Sequence, residues 1–132
     1  KAKFIMVGGK RFRVDFFLQN LNNDTLDKET VITAERVIEI YINTSFKGYT
    51  ISKDTEFYTV FHVAEAIAEI YIKEAKQDAQ RIFTLRNSLI YKISEIITEE
   101  QEFKELEKAE RDLITVSLKK QEMEEKRLQS SL

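Results

Sequence analysis

The chain of 132 residues contains no cysteine, no proline and no tryptophan, and it has only three glycines and one histidine. The lack of cysteine excludes a disulfide framework and thiolate chemistry, and it is compatible with the cytoplasm. No apolar run approaches the ~18 residues of a membrane span, and no signal peptide is visible. We therefore expect a cytoplasmic protein that does not enter a membrane.

Residues that could carry chemistry are few and scattered. His62 has neither a cysteine nor a second histidine with which to share a metal, and its neighbours are apolar or aromatic, so a packed histidine is the favoured interpretation. The carboxylates lie among lysines on predicted helix faces, a pattern typical of solvated surfaces. Gly8-Gly9-Lys10 lacks the spaced glycines and the Ser/Thr of a phosphate-binding loop. The sequence predicts no enzyme, no metal and no cofactor.

The charge of the chain is nearly balanced overall but uneven locally. Charged residues make up 33% of the chain, and the formal net charge is −2, which disfavours a nucleic-acid binder. The first 18 residues are close to +4, with Asp15 as their one acidic residue; their cations are Lys1, Lys3, Lys10, Arg11 and Arg13. This charge could steer an acidic partner, or it could only protect an exposed hairpin from edge pairing.

The N-terminal residues predict a β-hairpin. Residues 3–7 and 11–18 flank Gly8-Gly9, which can adopt the positive φ angles of a two-residue turn. Apolar and charged residues alternate along the second segment, as expected for a strand with one buried face. Residues 19–25, rich in Asn and Asp, predict a loop.

The next segment predicts a short helix. Apolar residues recur at spacings of three and four over residues 26–46, although its Val and Ile residues leave a strand over 37–42 as an alternative. Gly48 is expected to end this helix in a left-handed conformation, and an extended link follows. Ser52 or Asp54 would cap the next helix.

Residues 55–128 contain neither glycine nor proline and predict one long helix. Such a helix must bury its apolar stripe against other helices, so we expect an assembling protein. Charged residues interrupt the heptad pattern, which fits a bundle better than a two-stranded coil. The residues expected to carry self-assembly are Ile67, Ile82, Leu85, Leu89 and Ile96. Thr98–Gln101 matches a capping box, which leaves open a separate helix from residue 99.

The predicted fold class is α+β. A small head over residues 1–54 holds the hairpin and the short helix. A long coiled-coil helix over residues 55–97 assembles into a helical bundle. Residues 98–132 form a charged helical extension, which either continues the long helix or folds back along it.

Two stretches, VGGKRFRV at residues 7–14 and TEFYTVFHVAEAIAEI at residues 55–70, resemble the ZapA family of bacterial division proteins, which associate with the tubulin-like protein FtsZ. In the first stretch, a glycine and a basic residue separate two strands. In the second, an acidic residue precedes an Ala-rich apolar run. The chain departs from the family at Glu65 and in the residues beyond about 98.

The resemblance implies a homodimer or homotetramer that cross-links FtsZ filaments at the division site. Lys10, Arg36 and Glu39 match the FtsZ-contacting surface of the family, and the local charge adds Arg11 and Arg13 as candidates. The alternative is a coiled-coil adaptor that serves another machine, such as a motility or secretion apparatus. A nucleic-acid binder that uses the basic hairpin is the weakest of the three hypotheses.

Overall fold

A computed structural model describes residues 2–130. Lys1, which adds to the predicted charge of the hairpin, and residues 131–132 of the predicted extension lie outside this range. The described residues form two units, an N-terminal unit up to Ser94 and a C-terminal unit from Glu95 onwards. The elements in chain order are β1 (Lys3–Val7), β2 (Lys10–Gln19), β3 (Lys28–Ala34), β4 (Val37–Asn43), α1 (Lys47–Thr50), α2 (Thr55–Glu74) and α3 (Arg81–Ser130). The fold class is α+β, as predicted.

The β1–β2 hairpin confirms the prediction for the N-terminal residues. Val7 pairs with Lys10 across the turn, and Gly8 and Gly9 have φ angles of 55° and 76°. These angles lie in the left-handed region, which glycine enters without a steric penalty. A Cβ atom on Gly8 would also lie 2.0 Å from the hydroxyl oxygen of Tyr71 on α2, so the close approach of the helix excludes a side chain there.

The helix predicted over residues 26–46 is wrong, because this segment forms the antiparallel strands β3 and β4. The alternative of a strand over 37–42 is confirmed. Buried isoleucines on β4 alternate with less buried residues, which is a period of two; they are Ile38, Ile40 and Ile42. β-Branched residues fit such a surface well. Arg36 makes the β3–β4 turn with a φ of 56°, which no glycine in the sequence signals.

The four strands form one sheet in the order β1-β2-β4-β3. The two hairpins meet at β2 and β4, which run parallel with Val14 opposite Ile38. One face of the sheet packs under the helices and forms the core with them. The core residues of the sheet are Ile5, Val7, Phe12, Val14, Ile38, Ile40 and Ile42, and those of the helices include Val60, Val63, Ala64, Ile67, Ile72, Leu89 and Ile93.

The prediction of one long helix over residues 55–128 is wrong. Helix α2 ends at Glu74, Lys76 adopts a φ of 54°, and α3 begins at Arg81. The side chain of Asp78 accepts a hydrogen bond of 2.9 Å from the backbone N–H of Gln80, which supports the turn. A left-handed non-glycine residue costs about 1–2 kcal/mol. Burial of both helices in the N-terminal unit outweighs this cost, so the break needs no glycine or proline.

The observed helix ends confirm the cap at Asp54, contradict the role predicted for Gly48, and decide the alternative that was left open at residue 99. Asp54 caps α2, because its Oδ1 accepts a hydrogen bond of 2.9 Å from the N–H of Phe57. Gly48 does not end a helix in a left-handed conformation; it lies inside α1. No separate helix starts at residue 99, since α3 is continuous through that position.

Candidate interaction surfaces

The face of the sheet that points away from the helices is exposed and combines aromatic, apolar and charged side chains. Phe4 and Met6 on β1 are 53% and 51% exposed, and Phe17 on β2 is 42% exposed. Arg11 on β2 is opposite Met6, with its guanidinium 4.1 Å from the centroid of the Phe4 ring. Phe17 stacks on Tyr41 at 5.2 Å between centroids. We call this surface the open sheet face.

The predicted partner-binding residues divide between two places. Arg11, Arg13 and Glu39 lie on the open sheet face, because they occupy alternate positions from the buried residues of β2 and β4. The carboxylate of Glu39 accepts a hydrogen bond from the Tyr41 hydroxyl, which raises the pKa of Tyr41. Arg13 is exposed, so the open sheet face keeps part of the predicted basic charge.

Lys10 and Arg36 lie elsewhere and share one carboxylate. The Lys10 Nζ and the Arg36 Nη1 each lie 3.1 Å from Oε1 of Glu74, the last residue of α2. The hydrogen bond from Lys10 lowers the pKa of Glu74, and the hydrogen bond from Arg36 adds to this effect. These two cations therefore join the hairpin turns to α2, and a partner would meet them already paired. Their role in binding FtsZ stays a prediction.

A buried polar cluster joins strand β3 to both long helices. The Lys28 side chain is only 8% exposed, and its Nζ lies 2.7 Å from Oε1 of Glu65. The same ammonium donates to Nδ1 of His62 at 3.1 Å and lies 3.3 Å from Oδ2 of Asp27. Nη1 of Arg86 on α3 completes the cluster at 3.1 Å from Oε2 of Glu65.

The ionisation of the cluster follows from its burial and its charges. Burial lowers the pKa of His62, and the neighbouring charge of Lys28 lowers it further. Burial alone would raise the pKa of Glu65, but the hydrogen bonds and charges of Lys28 and Arg86 hold it below its usual value. Because an ammonium only donates hydrogen bonds, Nδ1 of His62 is the acceptor and carries no proton.

The side chains of Asp27, His62 and Glu65 also form a group with metal-ligand chemistry, with one ligand atom of each within 4.8 Å of the others. The ammonium of Lys28 already lies within hydrogen-bonding distance of all three. A metal ion would have to displace this charge, so the arrangement favours an ion-pair cluster over a metal site.

The sequence did not predict this cluster. The predicted helix over residues 26–46 gives Lys28 no reason to approach Glu65. With β3 known as a strand, alternation puts Lys28 on the helix-covered face, because its partner Ile42 is buried. Glu65, which also departs from the ZapA pattern, is the carboxylate that this lysine requires.

The predicted self-assembly residues fall into two groups. Ile67 and Leu89 are 0% and 1% exposed in the N-terminal unit, so the core of a single chain explains their apolar character. Ile82 and Leu85 are half-buried in the same unit. Ile96 belongs to the C-terminal unit.

The C-terminal unit is a helical segment with many exposed apolar side chains. All of its described side chains from residue 102 onwards are exposed. Those with large apolar groups include Phe103, Leu106, Leu113, Ile114, Val116, Leu118 and Met123, each more than half exposed. Exposed apolar surface of this extent is typical of a site that binds another protein.

No protein-family model matches the chain, and comparisons with curated proteins and with solved structures give no match either. Within residues 2–130, none of the helices combines the length and the apolar character needed to cross a membrane. The likeness to ZapA therefore rests on the residues at 7–14 and 55–70.

Proposed function

We propose that this protein is a scaffold that self-associates through its C-terminal helix and presents its N-terminal unit to a protein partner. The observation that carries the proposal is the exposed apolar seam formed by Leu106, Ala109, Leu113, Val116 and Met123. Their spacings of three, four, three and seven place them on one side of the helix. Lys120 interrupts the seam at a single position, which would help to set its register.

The seam supplies enough apolar surface for association. An isolated helix is marginal in water, so the C-terminal unit gains stability from a partner. Burying a large aliphatic side chain contributes about 1.5–3 kcal/mol. The four large side chains of the seam would therefore contribute roughly 6–12 kcal/mol per copy before the entropic cost of association. Phe103, Ile114 and Leu118 lie off the seam and favour a bundle of more than two helices.

The charges beside the seam favour a second copy in antiparallel orientation. Glu105 and Asp112 flank the first half of the seam, and Lys119 and Lys126 occupy the equivalent positions of the second half. In an antiparallel pair these positions face one another, so each acidic residue of one copy meets a lysine of the other. A parallel pair would instead place Glu105 near Glu110 of the second copy, which is repulsive.

Sedimentation at several protein concentrations tests the self-association. Leu113→Glu should remove association through the C-terminal helix and so reduce the mass of the assembly, because a carboxylate then replaces the centre of the seam. Thr115→Glu is the matched control, since it adds the same charge on the opposite side of the helix and should leave association intact. A wild-type protein that stays monomeric up to high micromolar concentration would refute the proposal.

Charge reversal tests the orientation. Asp112→Lys should weaken the assembly, because the new lysine then faces Lys119 of the second copy. The double variant Asp112→Lys/Lys119→Asp should restore it if the helices are antiparallel. In a parallel pair the aspartate introduced at position 119 would face Glu124, so the double variant would remain weak.

The resemblance to ZapA makes FtsZ the specific partner to test, with an adaptor for another machine as the second candidate. The β3–β4 hairpin stands where the resemblance implied a helix, so this step rests on the hairpin and α2 sequences. Co-sedimentation with FtsZ filaments formed in GTP should show bundling that both Leu113→Glu and Lys10→Glu weaken. Self-association without co-sedimentation would refute FtsZ as the partner and favour the adaptor.

A further inference from the structure

The two edges of the sheet differ in how they are protected. At the β1 edge, pairing of Val7 with Lys10 at the turn directs the backbone groups of Phe4 and Met6 outwards. The Lys92 Nζ on α3 donates a hydrogen bond of 2.9 Å to the outward carbonyl oxygen of Met6. A charged lysine placed at an edge in this way opposes pairing with a further strand.

At the β3 edge, no described lysine donates a hydrogen bond to the backbone of Thr30 or Ile32, and the strand has a β-bulge after Ile32. Asp27 and Asn43 form a hydrogen-bonded pair, because the N–H of Asn43 donates to the carbonyl of Asp27 at 3.0 Å. The next pair, Lys28 and Ile42, is therefore a non-hydrogen-bonded one. Because hydrogen-bonded pairs alternate in an antiparallel ladder, the backbone groups of Thr30 and Ile32 point away from β4. β3 is the last strand of the sheet, so none of the other described strands pairs with them. Its lysine, Lys28, is turned inwards to the polar cluster.

The exposed side chains of β3 include two large apolar ones beside Glu29. Ile32 is 59% exposed and Val31 is 39% exposed. Ile32 also forms one wall of a cavity of about 340 Å³, and Ile70 on α2 forms part of the wall beside it. An added strand would cover this apolar surface.

We propose that β3 pairs with β3 of a second copy, antiparallel and about a two-fold axis at Val31. In this register Thr30 of each copy faces Ile32 of the other, and both residues have outward backbone groups, so they exchange hydrogen bonds. Val31 faces its own counterpart, and Glu29 faces the β-bulge between Ile32 and Ala34 of the other copy. The strand is therefore self-complementary, with no like charges directly opposite.

The pairing also covers the exposed isoleucine. The two Ile32 side chains are diagonal neighbours across the axis on the helix-covered face, at a separation that long side chains can bridge. The result is a continuous eight-stranded sheet shared by two copies. This interface uses the N-terminal unit and does not depend on the proposed function, and a chain with both interfaces could build extended assemblies.

A single cysteine tests the register, because the chain has no cysteine of its own. Residues opposite one another in a non-hydrogen-bonded pair have Cα atoms about 4.5 Å apart, within the range of a disulfide. Val31→Cys should therefore form a covalent dimer under mild oxidation. The experiment is performed in the Leu113→Glu background, so that association of the C-terminal helices does not contribute.

The matched control is Glu29→Cys, which lies on the same face of the same strand and is also exposed. Two copies of position 29 are four residues apart along the paired strands, about 13 Å, so this control should give little dimer. Equal dimer from the two variants, or none from Val31→Cys, would overturn the proposal.

Thr30→Pro gives a second measurement that needs no cysteine. It removes an N–H that points away from β4, so the sheet of the single chain keeps its hydrogen bonds. Sedimentation of Leu113→Glu should show a dimer that Thr30→Pro dissociates, with an unchanged circular dichroism spectrum. A Leu113→Glu protein that remains monomeric would contradict the β3 interface without bearing on the C-terminal helix.

Discussion

Replacing Lys28 with methionine should destabilise the N-terminal unit strongly, although the residue is a lysine on an edge strand. The substitution keeps a long unbranched side chain, one atom shorter, and removes the ammonium group with its charge and its hydrogen-bond donors. Glu65 would lose a partner at 2.7 Å, and Nδ1 of His62 would lose its donor at 3.1 Å. Both acceptors are largely buried, so water replaces the lost interactions poorly.

The expected loss in the free energy of unfolding follows from the interactions that remain after the substitution. Removing one partner of a buried ion pair costs about 3–5 kcal/mol. Glu65 keeps Arg86 at 3.1 Å, and Asp27 is partly exposed, so we expect about 2 kcal/mol. With a urea m-value of about 1–1.5 kcal/mol per molar for a domain of this size, the midpoint should fall by about 1.5 M.

Urea unfolding at pH 7.5, followed by circular dichroism at low protein concentration, measures this change. Lys53→Met is the matched control, since Lys53 is exposed and a change there should stay within about 0.5 kcal/mol. A loss of less than about 0.5 kcal/mol for Lys28→Met would show that the lysine is solvated, and it would refute the account of the cluster.

Three further predictions follow from the same unit. The stability of the N-terminal unit should fall as the pH drops from about 6.5 toward the lower pKa of folded His62, because the unfolded state binds the proton first. Urea midpoints that stay the same from pH 7.5 to 5.5 would contradict this. Leu89→Glu should unfold the unit, with a cost of several kcal/mol, whereas Leu113→Glu should leave its urea midpoint unchanged. Gly8→Ala should cost at least about 1 kcal/mol in thermal unfolding, because it adds a strained φ to a collision with Tyr71; an unchanged melting temperature would argue against the close approach.

The sequence was sufficient where local chemistry decides the structure. Gly8-Gly9 with alternating flanks predicted the hairpin, because glycine is the residue that accepts a positive φ without cost. Asp54 was one of two predicted caps for α2, because a side-chain oxygen before a helix accepts its free N–H groups. The interrupted heptad pattern of the predicted long helix included Phe103, Leu106 and Leu113, and all three lie on α3 with exposed side chains.

The tertiary structure decided what local patterns left open. Residues 26–46 carry spacings that suit a helix or a strand, and pairing of β4 with the parallel β2 selects the strand. The break at Lys76 has no sequence signal, because packing of two helices in one unit supplies the energy for a left-handed residue. Leu89 has the spacing of an assembly seam, yet it is buried within its own chain.

For function, the sequence by itself determined that catalytic and metal-binding motifs are scarce and that the C-terminal helix has an apolar side, since both follow from residue types and spacing. Only the tertiary structure could bring together Lys28, His62, Glu65 and Arg86, which are distant along the chain. It alone could also show that Lys92 lies at the β1 edge and that β3 forms the opposite edge of the sheet. The order of the strands, and which backbone groups of an edge strand point outwards, are set by pairing between distant residues. No local pattern encodes them.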